Sequence, residues 1–224
     1  RKMVELTELN QREQLSILAG EAQRAIDAAA AQAVMGATLV ANQPAVQEAL
    51  AQRQREPLLA QFQPTWPALK QGGVSQFQFH LPPATSFLRL HMLEKHGDDL
   101  SAFRHTVVAA NREKRTISGL ENGVAGLGIR GVVPVVHAGS QVGTVELGGN
   151  LSAEVFASLT ANPQVRLAAW SRLEGRLQPL FGASELPPGV DPEAVLRGDT
   201  VHYQSHTAEG HFSGVALPLK DYSG

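Results

Sequence analysis

Cysteine is absent from the 224 residues, which excludes disulfides, thiolate-held zinc, iron–sulfur clusters and haem attached through Cys-x-x-Cys-His. Its absence suits cytosol and periplasm alike. No run of eighteen apolar residues occurs, so no stretch reads as a membrane span, and no signal-peptide pattern opens the chain. Beginning at Arg1-Lys2, it reads as a soluble piece cut from something larger. A charge excess is missing too: 19 Lys and Arg stand against 21 Asp and Glu, a net charge of −2. That balance points away from nucleic acid and from anionic membrane surfaces as partners. What is present, 43% hydrophobic and 18% charged residues, supports one ordinary packed domain or two small ones.

Proline and glycine are also scarce at the start, where only Gly20 and Gly36 interrupt strong helix formers as far as Gln43. Leu15, Leu18, Ala22, Ala25 and Ala29 keep a helical spacing, and Ala19, Ile26, Ala33 and Val40 form a neighbouring stripe. Such a helix runs about 60 Å at about 1.5 Å per residue. Pro44 then opens a second helix to Arg55, and Pro57, Pro64 and Pro67 break the next stretch into short turns. The helical segment therefore covers residues 1–73, and a sheet-bearing module covers 74–224.

Residues 74–80 alternate polar with apolar, so Gln76, Gln78 and His80 share one strand face and Phe77 and Phe79 the other. Residues 86–91 alternate again after a rigid Pro82-Pro83 loop, with Arg89 and His91 on one face. Asp98 and Asp99 are placed to open a helix that carries Leu100, Phe103, Arg104, Val107 and Val108 and ends near Lys114. Strands at 127–136 and 141–147 flank a four-residue turn. A short helix at 151–159, a strand at 165–171, a helical turn from Asp191 and a hairpin of 201–206 with 211–219 complete an α+β pattern.

The match of residues 126–131 to G-x-G-x-x-G carries no dinucleotide site, because a β-branched run comes after it where a helix should begin. Nucleophile elbows, H-E-x-x-H and helical S-x-x-K are all missing, so an enzyme is not indicated. Of the eight histidines none is spaced i, i+4 on a helix, and His202 and His206 on one strand lie roughly 13 Å apart. No metal site and no cofactor is expected.

Cations remain. His80, Arg89, Arg104 and Arg130, with His91 beside Arg89, are candidates to converge between sheet and helix, with Leu81, Phe103, Val107 and Pro134 as walls. Guanidinium forks in a partly apolar cavity suit a small carboxylate. The alternative is that each Arg pairs with a local acid, of which Asp98, Asp99, Glu121 and Glu146 are available.

The blocks FHLPPATSFLR (79–89), GDDLSAFR (97–104), GLE (119–121), GIRGVVP (128–134) and VGTVE (142–146), in that order, resemble Cache-type extracytoplasmic sensor domains. Those belong to methyl-accepting chemotaxis receptors, histidine kinases and cyclic-di-GMP enzymes. The resemblance implies a long N-terminal helix before a PAS-like antiparallel sheet with flanking helices, a periplasmic location, and a homodimer in the full-length receptor. It also implies membrane attachment only through spans before the first helix and after residues 217–221. Several similar domains bind acetate or other small carboxylates, so the expected activity is detection of a carboxylate of two to four carbons by a chemoreceptor. The competing expectation is an interaction or dimerisation module with no small-molecule ligand.

Overall fold

The computed structural model describes the chain from Lys2 to Gly224, with side chains from Thr7 onward. Helix α1 (Lys2–Ala41) is followed by α2 (Pro44–Ala51), α3 (Arg55–Phe62) and α4 (Trp66–Gln71). Next come β1 (Gln76–Leu81), β2 (Thr85–Arg89), α5 (His105–Glu113), β3 (Ile117–Gly123), β4 (Gly126–His137) and β5 (Ser140–Asn150). These five strands form one antiparallel sheet in the order β2-β1-β5-β4-β3, the α+β arrangement expected of a Cache fold.

The contacts divide the chain into two compact units, neither of which has its boundary at residue 73. One unit comprises 26–151 with 220–224 and holds the five-stranded sheet; the other comprises 1–25 with 152–219. Within the sheet-bearing unit, apolar residues between 37 and 62 of the helical stretch are the sheet's lid. Ala37, Val40 and Ala41 of α1, Val46, Ala49 and Leu50 of α2, and Leu58 and Phe62 of α3 are buried with Phe77, Phe79, Leu88, Val133, Val135, Val145 and Leu147. The Phe62 ring stands 5.1 Å from Phe77 and 5.8 Å from Phe79.

Two glycines let α1 come this close. A Cβ on Gly131 would stand 2.5 Å from the backbone nitrogen of Val34, and one on Gly36 would stand 3.2 Å from the end of the Leu147 side chain. Gly36, an interruption by propensity, is thus a packing residue. The G-x-G-x-x-G residues lie in β4, paired with β3 throughout and with β5 from Gly128 on, and lead into more strand in place of a helix.

The opposite face of the sheet is covered by α5, whose Val107, Ala109 and Ala110 pack with Leu100, Ala84, Ile117 and Val132. This helix begins at His105, six to seven residues beyond the acids at 98 and 99 expected to open it. The two aspartates serve other partners: Asp98 bonds Arg89, and Asp99 accepts bonds from the Ser101 backbone and hydroxyl. Arg104 is therefore not on the helix but at its N-cap. The β4–β5 turn is two residues, Ala138 and Gly139, both with positive φ, as the twist of a tight hairpin requires.

In the other unit a 3-10 turn (Ala153–Phe156) leads into α6 (Ala157–Thr160), hairpin β6 (Ala169–Leu173) and β7 (Arg176–Phe181), α7 (Pro192–Leu196), and hairpin β8 (Val201–Thr207) and β9 (Gly210–Ala216). Buried Phe156 packs on Phe181 at 5.6 Å, and the guanidinium of Arg166 lies 4.4 Å over the Phe212 ring. Strand β6 starts later than residue 165, and β7 has no counterpart in the sequence pattern.

Candidate functional site: a closed charge cluster on the inner sheet face

Period-two alternation puts Gln76, Gln78 and His80 of β1, Thr144 and Glu146 of β5 and Arg130 of β4 on the face under α5, and the register aligns them in rows. Gln78 lies between Arg89 and Glu146, and His80 between Ser86 and Thr144. All of these side chains are buried despite their polarity, so each needs a partner inside the protein.

Glu146 is the hub. Its carboxylate accepts from Arg130 Nη1 at 2.6 Å and from Arg104 Nη2. Arg104 Nε also donates to Glu121 at 2.8 Å, and Glu121 in turn accepts from the Thr106 backbone at 2.9 Å and from its hydroxyl. Arg130 completes its fork on the carbonyls of Glu121 and Gly126, both at 2.9 Å. Burial opposes the charge on Glu146, but Arg104 and Arg130 override it and hold the carboxyl far below the usual carboxylate range. Two guanidiniums and two carboxylates thus neutralise one another.

His80 sits beside this group, its Nδ1 3.0 Å from the Thr144 hydroxyl and its Nε2 3.6 Å from Glu146. Burial pushes its pKa down to about 3, with the three nearby guanidiniums adding to the effect against the pull of Glu146. The ring is therefore neutral at pH 7. His80 Nε2 and Gln76 Oε1 are buried without a hydrogen-bond partner.

Arg89 forms a separate pair. Its two terminal nitrogens meet the two oxygens of Asp98 at 2.7 and 2.8 Å, and Nη1 also donates to the Lys95 carbonyl at 2.6 Å. The fork depresses the Asp98 pKa through those bonds. The Arg89 side chain is 1% exposed, but that of Asp98 is 30% exposed.

Of the five ligand candidates, His80, Arg89, Arg104 and Arg130 share the inner face. His91 does not join them: its Nδ1 lies 3.2 Å from the Phe77 backbone and its ring 6.5 Å from Trp66. Burial lowers its pKa. Among the expected walls Val107 is buried under the sheet and Pro134 is half-buried. Phe103 is instead 39% exposed because the helix that would have turned it inward starts later, and Leu81 packs with the opposite core. Surface depressions lie at 53–57 and where Gln11 and Leu15 of α1 face Gln204 and Ser213; neither touches the charge cluster.

The carboxylates that complete the cluster are legible in the sequence only as possible partners. Alternation in 142–146 places Glu146 on one strand face with Thr144, which is the signal that singles it out. Among the described residues no three His, Asp or Glu side chains are arranged to hold a metal ion, and no helix is long and apolar enough to cross a membrane.

A family model described as the double sensory domain of two-component sensor kinases (dCache_3) matches residues 8–224. No curated protein matches the chain. Among solved structures, the extracellular domain of a chain described as a putative histidine kinase, vpHK1S-Z8, is similar at 16% identity with a TM-score of 0.49. The match covers 68% of this chain and 61% of that one.

Proposed function

The chain belongs to the family of double sensory domains of two-component sensor kinases, and we propose that it senses a small carboxylate outside the cytoplasm. The ligand, of two to four carbons, takes the place of the Asp98 carboxylate on Arg89. One observation carries this reading: Arg89 is a buried cation whose anion comes from a side chain still reaching solvent. Arg104 and Arg130 are held by carboxylates with no such exit.

Exchange needs little of the backbone. Gly97 N donates to Ser86 O at 2.7 Å and Ser86 N to Asp98 O at 3.0 Å, so the loop stays tied to β2 while the Asp98 side chain swings out. A free carboxylate then recovers the same two charge-assisted bonds. Family membership supports a kinase as the output, and the shared sequence blocks keep a chemotaxis receptor as the competing one. Signal passes to the helices of a dimer as a small shift in packing.

A second reading is favoured by the neutrality of the buried cluster. The inner face is then a self-contained polar core, and the module signals through a protein partner or through dimerisation alone. A thermal-shift screen separates the two. Acetate, propionate, lactate or pyruvate at about a hundred times its dissociation constant should stabilise the chain by roughly 2.7 kcal/mol. No shift with any of the four, against a shift with a protein partner, establishes the second reading instead.

A further inference from the structure

His206 of β8 and His211 of β9 are direct cross-strand partners, and their Nδ1 atoms meet. The ring centroids are 4.2 Å apart and the planes 79° to each other. Both side chains are exposed. Cβ atoms of such partners are held about 4.5–5.5 Å apart by the ladder, so the pairing is a property of the register and not of a chance surface contact.

The turn that fixes this register is two residues long and internally bonded. Thr207 pairs with Gly210, and the Glu209 backbone donates to the Thr207 hydroxyl at 3.2 Å. The Glu209 carboxylate is taken by Arg166. Two pairs further along the ladder, the Ser213 hydroxyl donates to Gln204 at 3.0 Å and contacts Gln11 Oε1 at 3.1 Å. Two exposed imidazoles are therefore held with their Nδ1 atoms facing each other on a braced frame, with the neighbouring acid engaged elsewhere.

The geometry points to a bidentate site for a divalent first-row transition ion, with His206 and His211 as its protein ligands and water in the remaining positions. Imidazole suits copper, nickel and zinc, and of these copper(II) binds a given nitrogen site most tightly. Zinc–imidazole distances of about 2.0–2.1 Å require two nitrogens close together, with lone pairs directed to one point. The facing Nδ1 atoms meet that requirement after a small opening of the pair. The site lies in the unit formed by 1–25 and 152–219, apart from the residues of the charge cluster, and is independent of the carboxylate reading.

The test uses the untagged chain with copper(II) and zinc(II) ions alone. Substoichiometric copper(II) should broaden the ring protons of His206 and His211 before those of His202, and calorimetry with zinc(II) should show one equivalent bound. Loss of an outer-shell partner alone costs about 10–100-fold, so His206→Ala or His211→Ala should each weaken binding by at least about tenfold, with His202→Ala unchanged. If both ions bind the His206→Ala/His211→Ala double variant as they bind the parent, or if neither ion binds the parent, the pair is an imidazole–imidazole hydrogen bond and the site is refuted. The broadening experiment reads individual side chains in the parent chain, so it decides the matter even if a variant fails to fold.

Discussion

Arg89 and Asp98 meet through two parallel bonds of 2.7 and 2.8 Å, and only the aspartate keeps contact with solvent. Moving Asp98 outward returns its carboxylate to water but strands the buried guanidinium, so the fork must then take another anion. On the proposed reading, that asymmetry lets the fork be filled either by the protein's own anion or by one from outside.

Glu146 should be the least replaceable polar residue of the sheet. Glu146→Gln leaves Arg104 and Arg130 with an uncompensated buried charge, and breaking such a group typically costs about 3–5 kcal/mol. Urea unfolding should register that loss. A cost below about 1 kcal/mol would mean that the two guanidiniums find other acceptors.

Acid should destabilise the fold in two stages. His80 is held at about 3 in the native state against 6.5 when unfolded. The unfolded chain therefore takes up a proton that the native one refuses. Stability is full above the unfolded value of 6.5 and falls towards pH 3, by up to about 1.4 kcal/mol per pH unit from this residue. Glu146 and Asp98, both depressed, add their loss only below the ordinary carboxylate range. Urea midpoints at about pH 7.5, 6 and 5 should decline in the parent and decline less in His80→Gln. Parallel slopes in the two proteins would contradict the buried neutral ring.

The two packing glycines should differ. In Gly131→Ala the new methyl meets helix backbone at 2.5 Å, an overpacking of the kind that costs about 1–3 kcal/mol. Gly36→Ala meets the flexible end of Leu147 at 3.2 Å and gains up to about 1 kcal/mol of helix propensity, so its melting temperature should stay close to the parent's. Equal losses would show that the helix does not approach the sheet on Gly131.

Self-association, if it runs through α1, should depend on residues other than the stripe at 15–40 as a whole. Ile26 and Val40 are buried within their own unit, while Ile17, Met35 and Leu39 are 54%, 65% and 68% exposed. Without membrane confinement the dimer should be weak. Sedimentation should show Met35→Asp/Leu39→Asp shifting the chain further to monomer, and a tight dimer indifferent to that change would rule this face out.

Alternation made β1 legible from sequence, because Phe77 and Phe79 against Gln78 and His80 can only be two faces of a strand. It could not say what covers the polar face, and burial of both faces is a tertiary fact. Asp98 and Asp99 mimicked helix-starting acids because N-terminal acids and acids recruited by a distant arginine look alike in one dimension. Strand β7 contains Pro179 and lacks an alternating pattern, so it gave no signal. The His206–His211 pair was implicit in the expected hairpin, but neither helical spacing nor the spacing along one strand reveals cross-strand partners.

Calorimetric titration of acetate, propionate, lactate and pyruvate into the parent chain, Asp98→Asn and Arg89→Ala tests the ligand assignment most directly. Removing the internal competitor should tighten the preferred acid at least tenfold in Asp98→Asn. Removing the fork, whose charge-assisted bonds contribute roughly 1.5–3 kcal/mol, should weaken it at least tenfold in Arg89→Ala. If Asp98→Asn binds none of the four acids, or if Arg89→Ala binds the preferred acid as the parent does, Arg89 is not a carboxylate receptor and its pair with Asp98 is structural.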